Sequence, residues 1–404
     1  MNRILEALKR FPLFKLLYRL SFAPSLYHFT LALGGAIVYG FPSRRLTVIG
    51  VTGTKGKTTT IELINAGLEA AGEKTALLSS WRIKIAEKSE LNVTGNTQPG
   101  RFYSQFFLRE ALRQGCKFAL IEIGSEGVVR HRHRFINFDA AVFVNIHPEH
   151  IESHGSFERY RKAKLDFFRY VSRGGKQKKF FINQDDPNAD LFVEAAGGGE
   201  IILAGATELP LQVEGDFNRV NAGLAVAVLR AFGVAEGIIS KALSGFRGVP
   251  GRMEFVVRSP FAVVVDYAHT PDSLEAVYRN LKKNTQGNLI CVLGSAGGGR
   301  DKWKRPKMGA IAEEYCQSIY LTDEDPFDEE PMQILDEIEA GIKEKNKVKK
   351  IIDRREAIRT ALGLAKEGDV VVISGKGSEP YIRIDRGRRI PWSDVDVVKK
   401  IINK

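Results

Sequence analysis

Cysteine is scarce in this sequence, and its scarcity excludes two classes of protein. The 404 residues contain three cysteines, Cys116, Cys291 and Cys316, and no Cys-x-x-Cys arrangement. Isolated cysteines argue against a disulfide framework and against a zinc ribbon, and they are typical of proteins in a reducing cytoplasm. We therefore expect a cytoplasmic protein that is not held together by a disulfide framework.

Long hydrophobic runs are also lacking. The most apolar stretch, LYHFTLALGGAIVYGF, contains His28 and two adjacent glycines. It falls short of the roughly 20 residues that a membrane-spanning helix needs. A signal peptide would place its basic residues ahead of an apolar run, whereas here the two are interleaved. With 44% hydrophobic and 27% charged residues, the composition is that of a soluble globular protein, and the length predicts two or three domains.

Acidic residues are almost absent from the first 45 positions. Seven basic residues stand there against Glu6 alone, so half of the net charge of +12 lies in this segment. The segment is also rich in Leu, Phe and Tyr, and Pro12 interrupts any single long helix. Two interpretations stay open: a helical segment that packs on the next domain, or a basic amphipathic anchor, within residues 1–40, on an anionic membrane face.

From Leu46 onward, short β-rich runs alternate with helical patterns, and this alternation predicts α/β domains with mostly parallel sheets. The stretch GFRGVPGRMEF breaks one helix before a new series of strands begins. We expect a basic helical segment over residues 1–45, a central α/β domain over 46–248 and a Rossmann-like C-terminal α/β domain over 249–404. The sequence contains no internal repeat and no low-complexity linker.

The stretch VIGVTGTKGKTTTIELI, residues 48–64, predicts a phosphate-binding loop between a strand and a helix. Its glycines let backbone N–H groups point at phosphate oxygens, Lys57 supplies a positive charge, and Thr58 supplies a hydroxyl for Mg²⁺. Val51 stands where the common form of this loop has glycine. The residues expected to contact ATP here are Gly53, Thr54, Lys55, Gly56, Lys57, Thr58 and Thr59.

The form T-G-T-x-G-K-T resembles the Mur ligase superfamily, the ATP-dependent amide-bond synthetases that build the peptide of the bacterial cell wall. Further motifs follow in the family's order: IEIGSEG, NIHPEHIESHG, YRKAKLDFF, GDFNRVNAGLA, GVPGRME, DYAHTPDSLEAV, GSAGGGRDKWKRPKMG, TDEDPFDEEP and SGKGSEPY. The last five are most similar to UDP-N-acetylmuramyl-tripeptide synthetases, the branch that adds the third residue of the stem peptide.

This resemblance implies an ADP-forming ligase with ATP and two Mg²⁺ ions. A substrate carboxylate would be phosphorylated by ATP, and the amine of an amino acid would then attack the acyl phosphate. Thr58 and Glu122 would hold the first Mg²⁺. His150 and a carbamylated Lys164 would hold the second, with Lys57 on the phosphates. His147, His154 and Lys162 are nearby rivals for these roles.

The resemblance also assigns contacts around these groups. Those to ATP are Asn218, Asn221, Arg252, Asp266 and His269, and those to the muramyl-peptide substrate are Asn96, Thr97, Gln98, Ser125 and Arg132. Gly124 and Gln98 replace a serine and a threonine that the family often carries, which affects the sugar end of the substrate. No nucleic-acid partner is expected.

The acceptor amino acid would contact Asp325, Phe327, Asp328, Gly375 and Glu379. Phe327 stands where enzymes that add meso-diaminopimelate carry an arginine that clamps the distal carboxylate. Because the surrounding loop is acidic, we expect a basic amino acid such as L-lysine. The alternative is that these acids face solvent and that another arginine, Arg300 or Arg305, binds a carboxylate.

Two further expectations follow from the resemblance. Family members usually begin with a domain of roughly a hundred residues that grips uridine diphosphate, and the 45 residues before the loop are too few to form it. The substrate would then be held differently, by the basic segment or by a partner chain. The rival functions are a folylpolyglutamate-synthase-like ligase and a non-catalytic ATP-binding scaffold.

Overall fold

The computed structural model describes residues 23–149, 151–174 and 177–403. Five of the basic residues of the N-terminal segment, Arg3, Lys9, Arg10, Lys15 and Arg19, therefore lie outside the described residues, as does Pro12. The description begins with helix α1, Ala23–Val38, which leads through a short 3₁₀ segment, Pro42–Arg45, into the first strand.

The first sheet has eight strands, and its central part is parallel. Along the sheet the order is β4-β3-β2-β5-β1-β6-β7-β8, with only β3 and β4 antiparallel. Strand β5 is buried at all six positions, as expected for a parallel strand covered on both faces. The bounds are β1 Thr47–Thr52, β2 Thr75–Leu78, β3 Arg82–Ile85, β4 Lys88–Leu91, β5 Phe118–Ile123, β6 Ala140–Phe143, β7 Lys179–Asn183 and β8 Glu200–Ala204.

Helices cover both faces of this sheet, and each face has its own hydrophobic core. One core is formed with α2 Lys57–Ala70, α8 Asp216–Ala231 and α9 Glu236–Gly245. The other is formed with α3 Arg101–Arg113, α4 Ser125–Val129, α6 Phe157–Ser172 and α7 Ala189–Ala196; the one-turn helix α5, Ile151–His154, precedes α6. The expected α/β class is confirmed.

The second sheet has six strands in the order β13-β12-β11-β14-β10-β9, with β9 antiparallel. The bounds are β9 Glu254–Val257, β10 Ala262–Asp266, β11 Leu289–Leu293, β12 Ser318–Leu321, β13 Val348–Lys350 and β14 Val370–Ser374. The helices are α10 Pro271–Asn284, α11 Lys304–Tyr315 and α12 Pro331–Glu339 on one face, and α13 Arg354–Leu364 and α14 Asp394–Ile402 on the other. A hairpin, β15 Tyr381–Arg383 and β16 Arg389–Pro391, precedes α14.

Helix α1 packs on the first domain. Its glycine Gly35 approaches Phe102 of α3, where a Cβ would lie 3.1 Å from the Phe102 Cα. The Phe29 ring meets Phe135 at 5.1 Å between centroids, and Tyr39, just after α1, meets Phe102 at 5.3 Å. Among the described residues, then, the N-terminal segment follows the packing interpretation. None of the described helices has the length and apolar character needed to cross a membrane.

Two of the three cysteines, which are isolated in the sequence, are joined in the fold. Cys291 on β11 and Cys316, which immediately precedes the neighbouring β12, form a disulfide with their Cα atoms 6.0 Å apart. The pairing escapes the sequence because 25 residues separate the cysteines, and only the parallel pairing of β11 with β12 brings them together. Cys116 is free and buried.

Candidate active site

The phosphate-binding loop follows β1 at the carboxyl edge of the first sheet, where β1 lies between β5 and β6. Ligands of open parallel sheets bind at this edge. Gly56 ends the loop with φ +78°, and a Cβ at this position would overlap the Asn221 side-chain oxygen. Glycine is thus required here by backbone conformation and by space together.

Lys57 curls back into the loop that precedes it. Its ammonium donates to the carbonyls of Gly53 at 3.0 Å and of Thr54 at 2.9 Å, and it lies 4.0 Å from the Glu122 carboxylate. Burial lowers the pKa of Lys57, although Glu122 and Glu149 counteract that effect. A desolvated cation at the mouth of a glycine loop favours binding of an anion.

The Glu122 carboxylate, on β5, accepts hydrogen bonds from residues of α2 and of the loop after β2. Its Oε2 accepts hydrogen bonds from the Thr58 hydroxyl at 3.2 Å, from the Ser80 backbone N–H at 2.8 Å and from the Ser80 hydroxyl at 3.0 Å. These oxygens form a compact set of hard ligands of the kind that Mg²⁺ prefers. Ser80 was not predicted from the sequence. The feature that could have indicated it is the pair of serines directly after β2, because β2 pairs with β5, the strand that carries Glu122.

Lys164 lies on the inner face of α6 and reaches the same loop. Its side-chain nitrogen donates to the Gly53 carbonyl at 2.6 Å and lies 4.7 Å from the centre of the Tyr160 ring. Only 1% of the residue is exposed, and burial, followed by the charge of Lys57, lowers its pKa well below the ordinary value. Lys162, its rival, is instead exposed and pairs with Asp166 at 2.7 Å.

The structure describes two of the three histidines in the HPEHIESH stretch. His150, the expected metal ligand, lies outside the described residues. The His147 backbone N–H donates to the Thr54 hydroxyl at 3.0 Å, and the His154 ring contacts the Ser125 hydroxyl at 3.0 Å. Within the described ranges, no three residues among His, Cys, Asp and Glu gather as a metal site.

The two asparagines of α8 lie on one helix face, as their spacing predicts. Asn221 donates from its side-chain amide to the Asn218 oxygen at 3.1 Å, and Asn218 donates to the Glu214 carbonyl at 2.7 Å. Asn221 also accepts from the Thr60 hydroxyl at 3.4 Å. The pair therefore lies beside the first turn of α2, next to the phosphate loop.

The second domain contributes a loop after β10. Asp266 accepts backbone N–H bonds from Met253 and Ala268, each at 2.6 Å, and burial raises its pKa. The Arg252 guanidinium lies 4.0 Å from the centre of the Tyr267 ring. One of its terminal nitrogens is buried without a hydrogen-bond partner among the described residues, so the group is available to an anion.

Two sets of contacts join the domains at this edge, and sequence reasoning missed both. The carboxylate of Glu149 pairs with Lys55 at 3.0 Å and lies 3.2 Å from the His269 ring, whose pKa is lowered to about 3 by burial first and by Lys55 second. Further out, the Glu152 backbone N–H donates to Asp301 at 3.0 Å, and the Lys302 N–H donates back to the Glu152 carboxylate at 3.2 Å.

The residues expected to hold the substrate do come together. Arg132 is 8% exposed, and its guanidinium donates to the Asn96 side chain at 3.3 Å and to the Gln98 carbonyl at 2.5 Å. A Cβ at Gly124 would lie 3.0 Å from the Thr97 hydroxyl, so the replacement of serine by glycine at this position leaves room for Thr97. Ser125, bonded to His154, begins α4 beside them.

The acceptor loop is acidic in sequence, and Asp325, together with Glu379 of a later loop, is paired with basic residues in the fold. Asp325 pairs with Lys376 and with Arg383, both at 2.7 Å, and Glu379 pairs with Lys376 at 2.6 Å. Burial alone would raise the pKa of Glu379, but Lys376 and Arg383 lower it. Asp325 and Glu379 are therefore compensated, whereas the expectation of a basic acceptor amino acid stays a prediction. In the sequence, the residue that could have indicated this pairing is Lys376, in the SGKGSE motif.

Glu324 and Asp328 form no ion pair with a described residue, and the buried Oε2 of Glu324 has no hydrogen-bond partner there. Asp328 accepts from the Arg386 backbone N–H at 2.8 Å. Gly375 has φ +106°, and a Cβ there would overlap the Glu324 carboxylate, which is buried. Phe327 has φ +54°, and its ring lies 5.7 Å from the exposed Arg300 guanidinium.

Arg305, the other arginine considered as a carboxylate clamp, is locked in place. It is 0% exposed and bonded to Glu329, Glu337 and the Ala296 carbonyl. Of the two arginines named as alternatives, only Arg300 can reach an incoming carboxylate.

Family models match both domains. The model described as "Mur ligase middle domain" matches residues 51–206, and the model described as "Mur ligase, glutamate ligase domain" matches residues 251–377. A relative from Aquifex aeolicus, "UDP-N-acetylmuramoyl-L-alanyl-D-glutamate--2,6-diaminopimelate ligase", is 39% identical over 392 residues, which cover 90% of this chain and 79% of that protein. A "UDP-N-acetylmuramyl-tripeptide synthetase" from Roseiflexus sp. is 36% identical over 91% of this chain and 80% of its own.

Solved structures agree on the fold. A diaminopimelate ligase of the same descriptive name superposes with a TM-score of 0.60 and 30% identity, over 89% of this chain and 78% of its own. A Mycobacterium tuberculosis folylpolyglutamate synthase complexed with ADP and AMPPCP superposes with a TM-score of 0.70 over 86% of this chain and 92% of its own. Its identity is 16%, so this second likeness concerns the fold alone.

Gly56→Ala should abolish tight nucleotide binding, because a Cβ would strain the left-handed backbone and collide with Asn221. Strain alone costs about 1–3 kcal/mol, so ADP affinity should fall by about ten-fold or more, measured by calorimetry with Mg²⁺. Gly72→Ala is the matched control: Gly72 has φ +82°, but open space surrounds it. Equal ADP affinity in Gly56→Ala and the wild type would contradict the loop assignment.

Proposed function

The chain belongs to the Mur ligase family, and from that premise we propose how its site forms an amide bond. It is an ATP-dependent ligase that adds an amino acid to a peptidoglycan precursor. The observation that carries the assignment of roles is the convergence of Lys57, Thr58, Glu122 and Lys164 on one loop at the carboxyl edge of the first sheet. We propose that residues 46–248 form the ATP-binding domain and 249–404 the acceptor-binding domain.

The chemistry requires a carboxylate to attack the γ-phosphate, so two anions must approach each other. Lys57, inside the loop, and Arg252, with a buried unpartnered nitrogen, supply fixed positive charge for this step. Fixed charges in a desolvated site stabilise developing negative charge without reorganisation. Arg132, which is bonded to the Asn96 and Gln98 segment, orients the peptide end of the muramyl substrate.

Thr58 and Glu122, with Ser80, would hold one Mg²⁺, and a carbamylated Lys164 with His150 would hold a second. Bound there, Mg²⁺ would neutralise charge on the phosphates and on the attacking carboxylate. The residues fit this assignment in two respects. The oxygens around Glu122 are hard ligands within hydrogen-bond distance of one another. Lys164 is buried with a lowered pKa, which favours the neutral amine that carbamylation needs.

The acceptor is a diamino dicarboxylic acid such as 2,6-diaminopimelate, with its distal carboxylate on Arg300. Three observations support this proposal. The carboxylates of Asp325 and Glu379 are already paired with Lys376 and Arg383. The Arg300 side chain is exposed beside Phe327. The relative at 39% identity is named as a diaminopimelate ligase.

A folylpolyglutamate synthase activity is the second candidate, and only the fold favours it. We place the enzyme in the cytoplasm. Peripheral contact of residues 1–40 with a membrane surface stays a prediction, since most basic residues of that segment lie outside the described residues.

The assignment of roles is tested by ADP and phosphate release with a UDP-muramyl dipeptide, diaminopimelate, ATP and Mg²⁺. Wild type should release ADP only when both the dipeptide and the amino acid are present. Lys57→Ala should lose turnover by about 10²-fold or more, because a preorganised charge on the phosphoryl group is removed. Lys74→Ala, an exposed lysine in the turn after α2, is the control. ADP release that depends on a folate substrate and glutamate, and not on the dipeptide and diaminopimelate, would favour the second candidate.

Carbamylation is tested by Lys164→Ala. The variant should be nearly inactive and should recover part of its turnover in millimolar acetate or formate, since a small carboxylate replaces the missing oxygen ligand. Lys162→Ala, two residues away on the exposed face of α6, should keep wild-type turnover and show no response to the additive. Full activity of Lys164→Ala without additive would exclude a carbamate.

The choice of acceptor is tested by letting L-lysine and meso-diaminopimelate compete at equal concentration and identifying the products by mass spectrometry. Wild type should add diaminopimelate, and Arg300→Met should lower its kcat/KM by about ten-fold or more, because a charged hydrogen bond to the carboxylate is lost. Arg359→Met, which removes an exposed arginine of α13, is the control. A product containing mainly lysine in the wild type would restore the acidic-loop interpretation.

A further inference from the structure

An open groove with a volume of about 950 Å³ lies on the first domain, outside the phosphate-binding loop. It runs along the outer side of α6 between Ser153 and Lys178, and its other wall is the segment from Val128 to Phe138. Its volume is within the range of sites that bind small molecules. We call it the basic groove.

Among the charged side chains that line the basic groove, cations far outnumber acids. Asp166 is the one carboxylate among the described lining residues, and it already pairs with Lys162 at 2.7 Å and with Arg169 at 3.1 Å. Arg44, Arg159 and Arg173 are exposed, and like Arg134 they form no ion pair with a described residue. The cations at or near the surface of the groove are Arg44, Arg134, Arg159, Lys162, Arg169 and Arg173.

Buried polar atoms without partners also face this groove. His133 is 3% exposed, and its Nδ1 has no hydrogen-bond partner among the described residues. The Nε of Arg134 is likewise buried without a partner, while its guanidinium lies 5.4 Å from the centre of the Tyr170 ring. Unsatisfied buried donors of this kind indicate a place where a ligand atom supplies the missing bond.

Backbone strain is concentrated in the same walls. Seven non-glycine residues in the described part of the chain have positive φ, and three of them line the basic groove: Phe41, His131 and Phe135. Such conformations each cost about 1–3 kcal/mol and tend to cluster at ligand sites. Phe41, Phe135 and Tyr170 also provide aromatic surface between the cations, an arrangement suited to a ligand that has both phosphates and a planar base.

The upper end of the groove reaches the active site. Ser153 and His154 line it, and His154 is bonded to Ser125, one of the substrate residues three positions after Glu122. An extended substrate with its carboxylate at Glu122 and Lys57 could pass Ser125 and place its far end in the groove.

We propose that the basic groove binds the diphosphate of an extended nucleotide-linked substrate, with Arg44, Arg134 and Arg173 as its principal phosphate contacts. The inference rests on the proposed function for the identity of the substrate, but not for the binding of diphosphate itself. A guanidinium binds phosphate oxygens in a bidentate manner, which makes arginine the suited residue for this task.

Binding is measured by calorimetry with UDP and with inorganic pyrophosphate, at low salt and with saturating ADP and Mg²⁺ so that the phosphate loop is filled. Both probes should bind wild type, and uridine should not. The double variant Arg44→Glu with Arg173→Glu should weaken both by about ten-fold or more, because two attractive charges become repulsive. Arg109→Glu, which reverses an exposed arginine of α3 outside the groove, should leave binding unchanged.

Asp166→Asn should strengthen the binding of both probes, and damage to the fold would not produce a change in that direction. Removing this carboxylate frees Lys162 and Arg169, so UDP and pyrophosphate should bind about two-fold or more tightly. Equal affinity in the wild type, the double variant and Asp166→Asn would overturn the proposal.

Two further arms identify the source of the phosphate. Vesicles of phosphatidylglycerol that bind through the groove in preference to UDP would exclude the substrate as occupant, and preferential binding of an oligouridylate would do the same. In the ligase assay, the double variant should raise the KM for the UDP-muramyl dipeptide and leave kcat within about two-fold of wild type. Normal KM with active enzyme would overturn the groove proposal alone, whereas absence of ligase activity with intact UDP binding would overturn only the proposed function.

Discussion

The parallel register between β1 and β5 is the constraint on which the site depends. It sets Val51 opposite Glu122, so the carboxylate emerges beside the start of the phosphate loop. A slip of one residue would turn Glu122 to the other face of the sheet and leave the Thr58 and Ser80 hydroxyls without their acceptor. The apolar residues of both strands hold this register, because both faces of the sheet are buried.

A second feature is the placement of two lysines against the same carbonyl. Lys57 and Lys164 both donate to the Gly53 oxygen, and burial lowers the pKa of each. Two like charges so close in a desolvated site destabilise each other. The repulsion is relieved when one of the two lysines becomes neutral or when an anion binds beside them, so the electrostatics of this loop favour anion binding.

The local parts of the site could be predicted from the sequence. The loop, its lysine and its hydroxyl are contiguous, and the spacing of Asn218 and Asn221 alone places them on one helix face. What could not be predicted depends on contacts between distant segments. Ser80 contacts Glu122 only because β2 pairs with β5. Asp325 is compensated only because Lys376, which follows a later strand, and Arg383, in a later hairpin, form ion pairs with it. The Cys291–Cys316 pair has the same origin. Charge counted along a loop is therefore a poor guide to charge available to a ligand.

The bonds that Glu152 exchanges with Asp301 and Lys302 have a consequence for how the cleft opens. The bond from the Lys302 N–H to the Glu152 carboxylate is exposed, so water can replace either partner at little net cost, whereas the bond to Asp301 is part-buried because Asp301 is only 7% exposed. Such a latch holds the two domains together loosely and reversibly. Opening the cleft requires breaking this solvated bond and also the more buried contact between Glu149 and His269, and it leaves the core of each domain intact.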